Sequence, residues 1–566
     1  MVGGLDGCSA KGNKMKTMSS LFSNLVTKYP KLIIVVTVTL TIFFAYGMSR
    51  LEVVSEFGDD LPASDPIVQT KRYFQEVFGK KDLLFIGIEK TPTIYNTSTL
   101  QKIKDISEEI KHLNGIIEDD VISLSTANNI KGRDWGLEAG AFMKDAPRTE
   151  EDLNQLKKDV QGNDMFYGRL VSRDETLTMI IAGMEKLNGK EKDRLVEELY
   201  ALAKRFEGPE KFYFTGDPIG NYEIDRGIQH DMNRLMPFAF LLILAGFYIS
   251  FKRLRGVIIP TIIMIVSIIW TMGLMGLLGY KINVVTSLIP VVMLAITSSY
   301  GVHIIYRYYE VTSYPSPGPS PQRGEGWKGD GLQASGEAVR RLTQALLMAG
   351  ITSAIGTVTL MIFKIVSIKE FGIFLSAGIV FGFLLALTLA PAILTLLKPQ
   401  TNNIAKDNSK KKDFLDKLMP RLANFTMGKR NLLTVIIGIL FVLSLYGVSL
   451  LKVGINFVDF FPKDHRFTIS ANKFNDKVGG SNPLIIMIET PEPDGIKNPE
   501  ILRKMLELEN YARGMKGVGN TDSFARLIKR MNYVINGEKK EFDIIPDSQE
   551  LIGTVPSSLF HVRQSW

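Results

Sequence analysis

Seven long uncharged stretches restrict the fold of this chain more than any other feature of its sequence. A helix needs about 20 consecutive, mostly apolar residues to cross the hydrocarbon core of a bilayer, and each stretch has close to that length. The sequence therefore predicts seven membrane spans, at Leu32 to Ser49, Leu235 to Phe251, Val257 to Tyr280, Val284 to Tyr306, Ala345 to Phe363, Phe371 to Leu397 and Leu432 to Leu451.

The basic residues predict how the chain is oriented. Lysine and arginine exceed aspartate and glutamate by 67 − 59 = 8, and they cluster between the predicted spans. Cytoplasmic loops carry such an excess, and a cytoplasmic N-terminus places every cluster on the cytoplasmic side. We therefore predict a multi-pass protein of the inner membrane and no nucleic-acid partner. The clusters are Lys11, Lys14 and Lys16; Lys252, Arg253 and Arg255; Arg307, Arg340 and Arg341; and Lys410 to Lys412 with Lys429 and Arg430.

The domain boundaries follow from this orientation. Residues 313–336 are rich in Pro, Gly and Ser, so we expect a disordered cytoplasmic insertion, which is either a tolerated loop or a binding or regulatory loop. The predicted domains are a cytoplasmic N-terminus at 1–31, a first span at 32–50, an extracytoplasmic domain at 51–234, five spans at 235–397, a cytoplasmic linker at 398–431, a seventh span at 432–451 and a second extracytoplasmic domain at 452–566.

The first extracytoplasmic domain alternates strand and helix patterns in the rhythm of split βαβ units. The predicted fold is a polytopic α-helical membrane protein with two extracytoplasmic α+β porter-like domains, the second incomplete. The predicted strands are Asp82 to Glu89, Val121 to Ala127, Thr176 to Glu185 and Lys211 to Gly216, and the predicted helices are Thr97 to Leu113, Glu150 to Gln161 and Lys190 to Phe206.

An internal repeat supports the idea of two related domains. Residues 51–89 align without gaps with residues 451–489, with 11 identities in 39 positions, where roughly two are expected by chance. We interpret the chain as a tandem duplication of one span, one outer domain and five spans, with the second copy cut short. The missing second bundle of five spans is expected either from another chain or not at all.

Few catalytic chemistries fit this sequence. Cys8 is the single cysteine and the five histidines form no HExxH motif, so we predict no metal site and no cofactor. The chain contains no GxxxxGK[ST] phosphate-binding loop, which excludes a standard P-loop motor. We find no nucleophile with an adjacent base, and we therefore predict that the protein is not an enzyme.

One acidic residue and one proline recur where each copy's first span meets its outer domain. They are Asp59 and Pro62 in the first copy, and Asp459 and Pro462 in the second. Their recurrence favours a structural elbow in which proline fixes the backbone and aspartate caps a turn. A catalytic carboxylate pair is the unsupported alternative.

Several short motifs resemble one family of membrane proteins. They include Gly216-Asp-Pro218 before the second span, Trp270 to Gly279 in the third, Tyr300 to Glu310 in the fourth, Lys369 to Gly372 opening the sixth and Leu389-Ala-Pro391 near its end. Together with the duplicated plan, they resemble the MMPL-type branch of the resistance-nodulation-division superfamily, with a sterol-sensing-like membrane domain. The resemblance implies an inner-membrane exporter of lipids, hydrophobic compounds or drugs, often driven by protons.

The fourth span departs from that family's pattern. Related exporters carry an Asp-Tyr pair where this chain has Ser299-Tyr300, and a serine hydroxyl does not titrate in the useful pH range. Ser299, Tyr300, His303 and Arg307 lie at helical spacing and are candidates for a proton relay or a ligand path. The alternative is structural: a neutral His303 bonded to a neighbouring helix, with Arg307 at the cytoplasmic interface.

Three functions are therefore open from the sequence. The first is an exporter, or the N-terminal part of one, that moves a membrane lipid or hydrophobic small molecule. The second is a lipid sensor or assembly factor that does not transport, which the absence of a carboxylate within predicted spans two to six favours. The third is an inactive, truncated remnant. The sequence does not choose an oligomeric state.

Overall fold

The computed structural model describes residues 22–53, 61–78, 82–133, 136–185, 187–313, 331–397, 414–451, 457–549 and 552. The chain divides into two compact units. The helical unit comprises residues 1–54 and 227–454, and the sheet unit comprises residues 55–226 and 455–566.

In the part of the chain that the structure describes, seven helices are long and apolar enough to cross a membrane, as the sequence predicts. Spans 3, 4 and 6 are the most buried of the seven, and span 7 has no buried residue. The helical unit is therefore built around those three spans. Spans 1 to 7 are Pro30–Met48, Asp217–Phe251, Leu254–Leu277, Thr286–Val311, Leu342–Ile362, Val366–Leu396 and Arg430–Ser449.

Span 2 differs most from its predicted extent. Its helix begins at Asp217, not at Leu235, because the 18 residues before Leu235 are polar and hydropathy detects only the apolar half of a continuous helix. Carboxylates therefore lie within this helix. They occupy its polar first half, before the apolar stretch that the sequence analysis identified as the span.

The predicted disordered insertion at 313–336 is partly helical. Span 5 belongs to a helix that begins at Gly331, and Ser23 Oγ donates a hydrogen bond to the Gly336 carbonyl oxygen at 3.0 Å. A contact 313 residues away in sequence stabilises this end of the helix, which composition does not reveal. Residues 314–330 lie outside the described residues. The predicted linker at 398–431 also contains a helix, Phe414–Gly428.

The sheet unit contains a four-stranded sheet in which every neighbouring pair is antiparallel. From one edge to the other, its strands are β2 (Ile116–Ile122), β5 (Leu177–Met184), β1 (Asp82–Glu89) and β6 (Lys211–Thr215). Helix α2 (Thr97–Lys111) connects β1 to β2, and helix α4 (Gly189–Arg205) connects β5 to β6. In each case another strand lies between the two connected strands, which is the split βαβ arrangement. The strands are β1 (Asp82–Glu89), β2 (Ile116–Ile122), β3 (Asn128–Arg133), β4 (Gly136–Ala141), β5 (Leu177–Met184) and β6 (Lys211–Thr215). The helices are α1 (Pro66–Phe78), α2 (Thr97–Lys111), α3 (Glu150–Gln161), α4 (Gly189–Arg205), α5 (Arg466–Val478), α6 (Pro499–Arg513) and α7 (Phe524–Ile535).

Two parts of this unit differ from the prediction. The second strand is Ile116–Ile122, not Val121 to Ala127. The hydroxyl of Thr126 donates to the Val121 carbonyl oxygen at 2.6 Å, and such side-chain hydrogen bonds favour turns over strands. The antiparallel hairpin of β3 and β4 was not predicted.

The sheet's core includes residues from the second half of the chain. Phe467, Phe474 and Val478 of α5 belong to the same buried cluster as the strands β1, β5 and β6. Residues 483–490 form no strand in the structure. A separate second outer domain at 452–566 stays a prediction.

Candidate functional site

Glycines bring the central spans into close contact. A methyl group on Gly382 of span 6 would lie 2.5 Å from Thr297 Cγ2 of span 4, and one on Gly378 would lie 2.6 Å from Thr271 Oγ1 of span 3. Both distances are too short for a side chain, so these positions need the absence of one. Gly378 and Gly382 are four residues apart, the spacing of small residues that lets membrane helices pack closely.

The buried polar groups of the bundle are hydroxyls that bond locally. Thr271 donates to the Ser267 carbonyl oxygen at 2.7 Å, and Thr297 donates to the Met293 carbonyl oxygen at 2.6 Å. Among the described residues of the helical unit, none of the fully buried side chains carries a charge. The interior of the described bundle therefore offers no carboxylate to carry a proton.

The four candidate residues of span 4 do not share one environment. Ser299 and His303 are both exposed, whereas Tyr300 is buried and lies 3.7 Å from the position of a methyl group on Gly382. Among the described residues, no hydrogen bond joins the Tyr300 hydroxyl to His303. The structure brings Ser299 and His303 together on one face and directs Tyr300 towards span 6.

Arg307 lies one turn further along the same helix and forms an ion pair with Glu310. Its side chain is partly buried. Nearby residues also carry positive charge, and the guanidinium of Arg253 lies over the ring of Tyr309 at 5.5 Å. This end of the bundle is therefore basic, as the positive-inside pattern predicts for a cytoplasmic end.

An apolar cleft between spans 5 and 6 was not predicted. Its volume is about 470 Å³, and almost all of its surface is apolar. Within span 5, Gly350 packs closely against Phe383 of span 6, which brings the two helices together beside the cleft. The lining residues are Ile351, Ala354, Ile355, Val358, Thr359, Met361, Ile362, Val380 and Phe383.

Pro62 and Pro462 each begin the same turn. The Pro62 carbonyl oxygen accepts a hydrogen bond from Asp65 N at 2.9 Å, and the Pro462 carbonyl oxygen accepts one from His465 N at 3.0 Å. In both places a helix starts immediately afterwards, α1 or α5. This geometry supports the structural elbow, which stays a prediction.

The structure says little about the role of the two aspartates of the elbow, Asp59 and Asp459. Asp459 is exposed and lies in the short helix Phe457–Phe460. Asp59 lies outside the described residues. A carboxylate pair at these positions therefore has no support from the structure.

Asp193 of α4 is one of two acidic residues described in the sheet unit, with Asp522, whose pKa is raised to about 6. The pKa of Asp193 is raised to about 6, first by burial and then by the neighbouring carboxylates of Asp225 and Glu197, while Arg226 opposes the rise. Asp193 therefore takes up a proton only slightly below neutral pH. No group of three or more His, Cys, Asp or Glu side chains that could hold a metal ion occurs among the described residues.

Comparison with known proteins identifies the family. The model of the MMPL family matches residues 98–425, which are more than half of the 566-residue chain. This chain belongs to the MMPL family. The resemblance found in the sequence is thus confirmed.

A curated relative supports a membrane location. A protein of Methanocaldococcus jannaschii, described as a membrane protein, is 22% identical to this chain over 382 residues. The aligned part covers 65% of this chain and 90% of the relative. Membership in the MMPL family, this relative and the seven apolar helices together place the protein in a membrane. The family indicates a membrane transporter of hydrophobic compounds, not an enzyme.

Proposed function

We propose that this protein exports a lipid-like or hydrophobic compound from the inner membrane, with its N-terminus in the cytoplasm. Family membership supports the transporter class. The basic clusters between the spans support the orientation. The sheet unit would then lie on the extracytoplasmic side and receive the exported compound.

The cleft between spans 5 and 6 carries the proposal. Its apolar lining suits an acyl chain or another hydrophobic body, which is held by burial of apolar surface and not by charge. Ile355 and Ile362 are 60% and 84% exposed, so a ligand can enter from the surrounding lipid. This cleft is our proposed loading site.

Filling the cleft tests the proposal. We expect Ile355→Trp to reduce crosslinking of a photoactivatable phospholipid to spans 5 and 6 in proteoliposomes, and to slow its movement between leaflets by about tenfold, because the larger ring occupies the space of a bound chain. Ile258→Trp is the matched control, since Ile258 of span 3 is 51% exposed and does not line the cleft. Equal crosslinking and transport in both variants would contradict a loading role.

Proton coupling forms a second part of the proposal, with His303 as its carrier. His303 is exposed on span 4 beside Ser299, and an imidazole can accept and release a proton. We expect His303→Gln to remove the dependence of transport on a pH gradient while lipid crosslinking persists. Unchanged gradient dependence would exclude His303.

A lipid sensor without transport is the competing function. The absence of a charged residue among the fully buried, described side chains of the bundle favours it. A sensor would bind the photoactivatable phospholipid in the cleft but would not move it, with or without a pH gradient. The two functions therefore differ in transport and agree in binding.

A further inference from the structure

The cleft between spans 5 and 6 follows an antiparallel pair of helices. A methyl group on Gly350 of span 5 would lie 2.6 Å from the ring of Phe383, and one on Gly372 of span 6 would lie 2.8 Å from Leu360 Cβ. Residue numbers thus rise along span 5 as they fall along span 6, up to the hairpin at 363–365. The cleft therefore has one end beside Gly350 and the other end at this hairpin.

The length of the cleft suits one lipid tail. Its lining residues on span 5 run from Ile351 to Ile362, which is about 17 Å at the rise of a helix. The hydrocarbon core of a bilayer is about 30 Å thick, so one leaflet contributes about half of that. The cleft therefore matches a hydrophobic tail that reaches from one membrane surface to the middle of the bilayer.

Two lysines lie at the hairpin end of the cleft. Lys364 is exposed and comes two residues after Ile362, which lines the cleft. Lys369 precedes Val380, another lining residue, by eleven residues. Eleven residues are about three helical turns, so Lys369 and Val380 share one face of span 6. Both lysines are therefore placed where the head group of an amphiphile lies when its tail occupies the cleft.

The acidic neighbour of these lysines bonds elsewhere. Glu370 follows Lys369 about 100° further round the helix, and its carboxylate accepts a hydrogen bond from Asn283 Nδ2 at 3.1 Å. Asn283 belongs to the hairpin between spans 3 and 4. The carboxylate of Glu370 is thus engaged with that hairpin, and the face of span 6 that lines the cleft ends in a lysine.

We propose that the cleft binds an anionic amphiphile, with its tail between spans 5 and 6 and its carboxylate or phosphate at Lys364 and Lys369. This inference rests on the proposed function and narrows the substrate to lipids with an anionic head group. Burial of apolar surface holds the tail. Each lysine near the membrane surface strengthens binding of an anionic head by about fivefold.

Two photoactivatable probes with the same hydrocarbon chain test the head-group site. One is a fatty acid and the other is the corresponding fatty alcohol, and each is titrated against the full chain in phosphatidylcholine nanodiscs at alkaline pH. We expect half-maximal crosslinking to spans 5 and 6 at a lower concentration of the acid than of the alcohol. Lys364→Gln together with Lys369→Gln should reduce this preference by about tenfold or more. Lys281→Gln is the matched control, because Lys281 is exposed in the hairpin between spans 3 and 4 and does not line the cleft.

A second pair of probes distinguishes the two kinds of anionic head group. Photoactivatable phosphatidylglycerol and phosphatidylcholine share their tails and differ in net charge. A lysine-dependent preference for phosphatidylglycerol supports a phosphate head group, and the same preference for the fatty acid alone supports a carboxylate.

Charge reversal separates loss of the site from misfolding. Lys364→Glu together with Lys369→Glu should disfavour the fatty acid and favour an alkylamine probe with the same chain. If the glutamine variant keeps the preference for both anionic probes within about twofold of the wild type, the head-group site is wrong while the cleft stands as a loading site. If no probe crosslinks to spans 5 and 6 of the wild type, the proposed loading site is itself wrong and this inference fails with it.

Discussion

Phe474 is the side chain on which docking of α5 most depends. It is fully buried and makes an edge-on contact with Phe85, with ring centroids 6.4 Å apart. Removing a buried phenylalanine ring costs about 3–5 kcal/mol. We therefore expect Phe474→Ala to weaken the attachment of α5 to the sheet by about that amount, which is roughly 10²- to 10³-fold in the equilibrium between docked and detached helix.

Hydrogen exchange measured by mass spectrometry reports the equilibrium between docked and detached α5 without complete unfolding of the membrane protein. The amides of α5 and β6 that exchange by detachment should do so about 10²- to 10³-fold faster in Phe474→Ala. Phe74→Ala is the matched control at the aligned position, where the ring is only half-buried and stacks on Phe78 at 4.8 Å; it should cost about 1 kcal/mol. Exchange of α5 within about threefold of the wild type in Phe474→Ala would refute the reasoning.

Three further predictions concern other parts of the chain. Gly276→Ala should lower the melting temperature of the protein in detergent, because a methyl group on Gly276 of span 3 would meet the Gly47 carbonyl oxygen of span 1 and separate the two helices. The expected cost is about 1–3 kcal/mol of stability. Gly246 has open space around it, so Gly246→Ala should not lower the melting temperature. Asp193 has a folded-state pKa of about 6 against 3.8, so its ionisation lowers the free energy of unfolding progressively as pH rises from about 4 to 6. Asp193→Asn should therefore raise the free energy of unfolding at pH 8 by no more than about 1 kcal/mol after solvent screening, and leave it unchanged at pH 4. An equal rise at both values would contradict this. Cys8 should resist a membrane-impermeant maleimide in intact cells and react after permeabilisation, and labelling in intact cells would reverse the proposed topology.

Local signals explain which elements were predictable. Helix Glu150–Gln161 has its predicted ends because Thr149 caps the first turn and accepts a hydrogen bond from Asp152 N at 3.1 Å. The strand Asp82–Glu89 also has its predicted ends, since the apolar residues Leu83 to Ile88 form a short continuous run, which is typical of a buried strand. Caps and hydropathy act over a few residues, so the sequence displays them directly.

Non-local contacts explain what was missed. The docking of α5 on the sheet was missed, because its partners lie more than 250 residues away in sequence, as the hydrogen bond from Phe214 N to the Ser470 hydroxyl shows. The early start of span 2 at Asp217 was missed because its first half is polar. In span 4, spacing alone grouped Ser299, Tyr300 and His303, but only packing against span 6 shows that Tyr300 faces the interior.

The cleft depends on two helices together. Ala354 and Ile355 of span 5 resemble any small or apolar lipid-facing residues in sequence, and they line a cavity only because Val380 and Phe383 of span 6 lie opposite. The periodicity of one span does not predict which other span it packs against. Candidate sites between spans therefore require the structure.

The central claim is transport of a hydrophobic compound, and movement of fluorescent probes between leaflets tests it most directly. Proteoliposomes containing the full chain would be compared with empty liposomes for a labelled phospholipid, a labelled fatty acid and a hydrophobic dye, with and without a pH gradient. We predict that at least one probe changes leaflet faster with the protein, that Ile355→Trp slows it and that Ile258→Trp does not. Binding of these probes without movement of any of them would contradict the exporter and establish the sensor in its place.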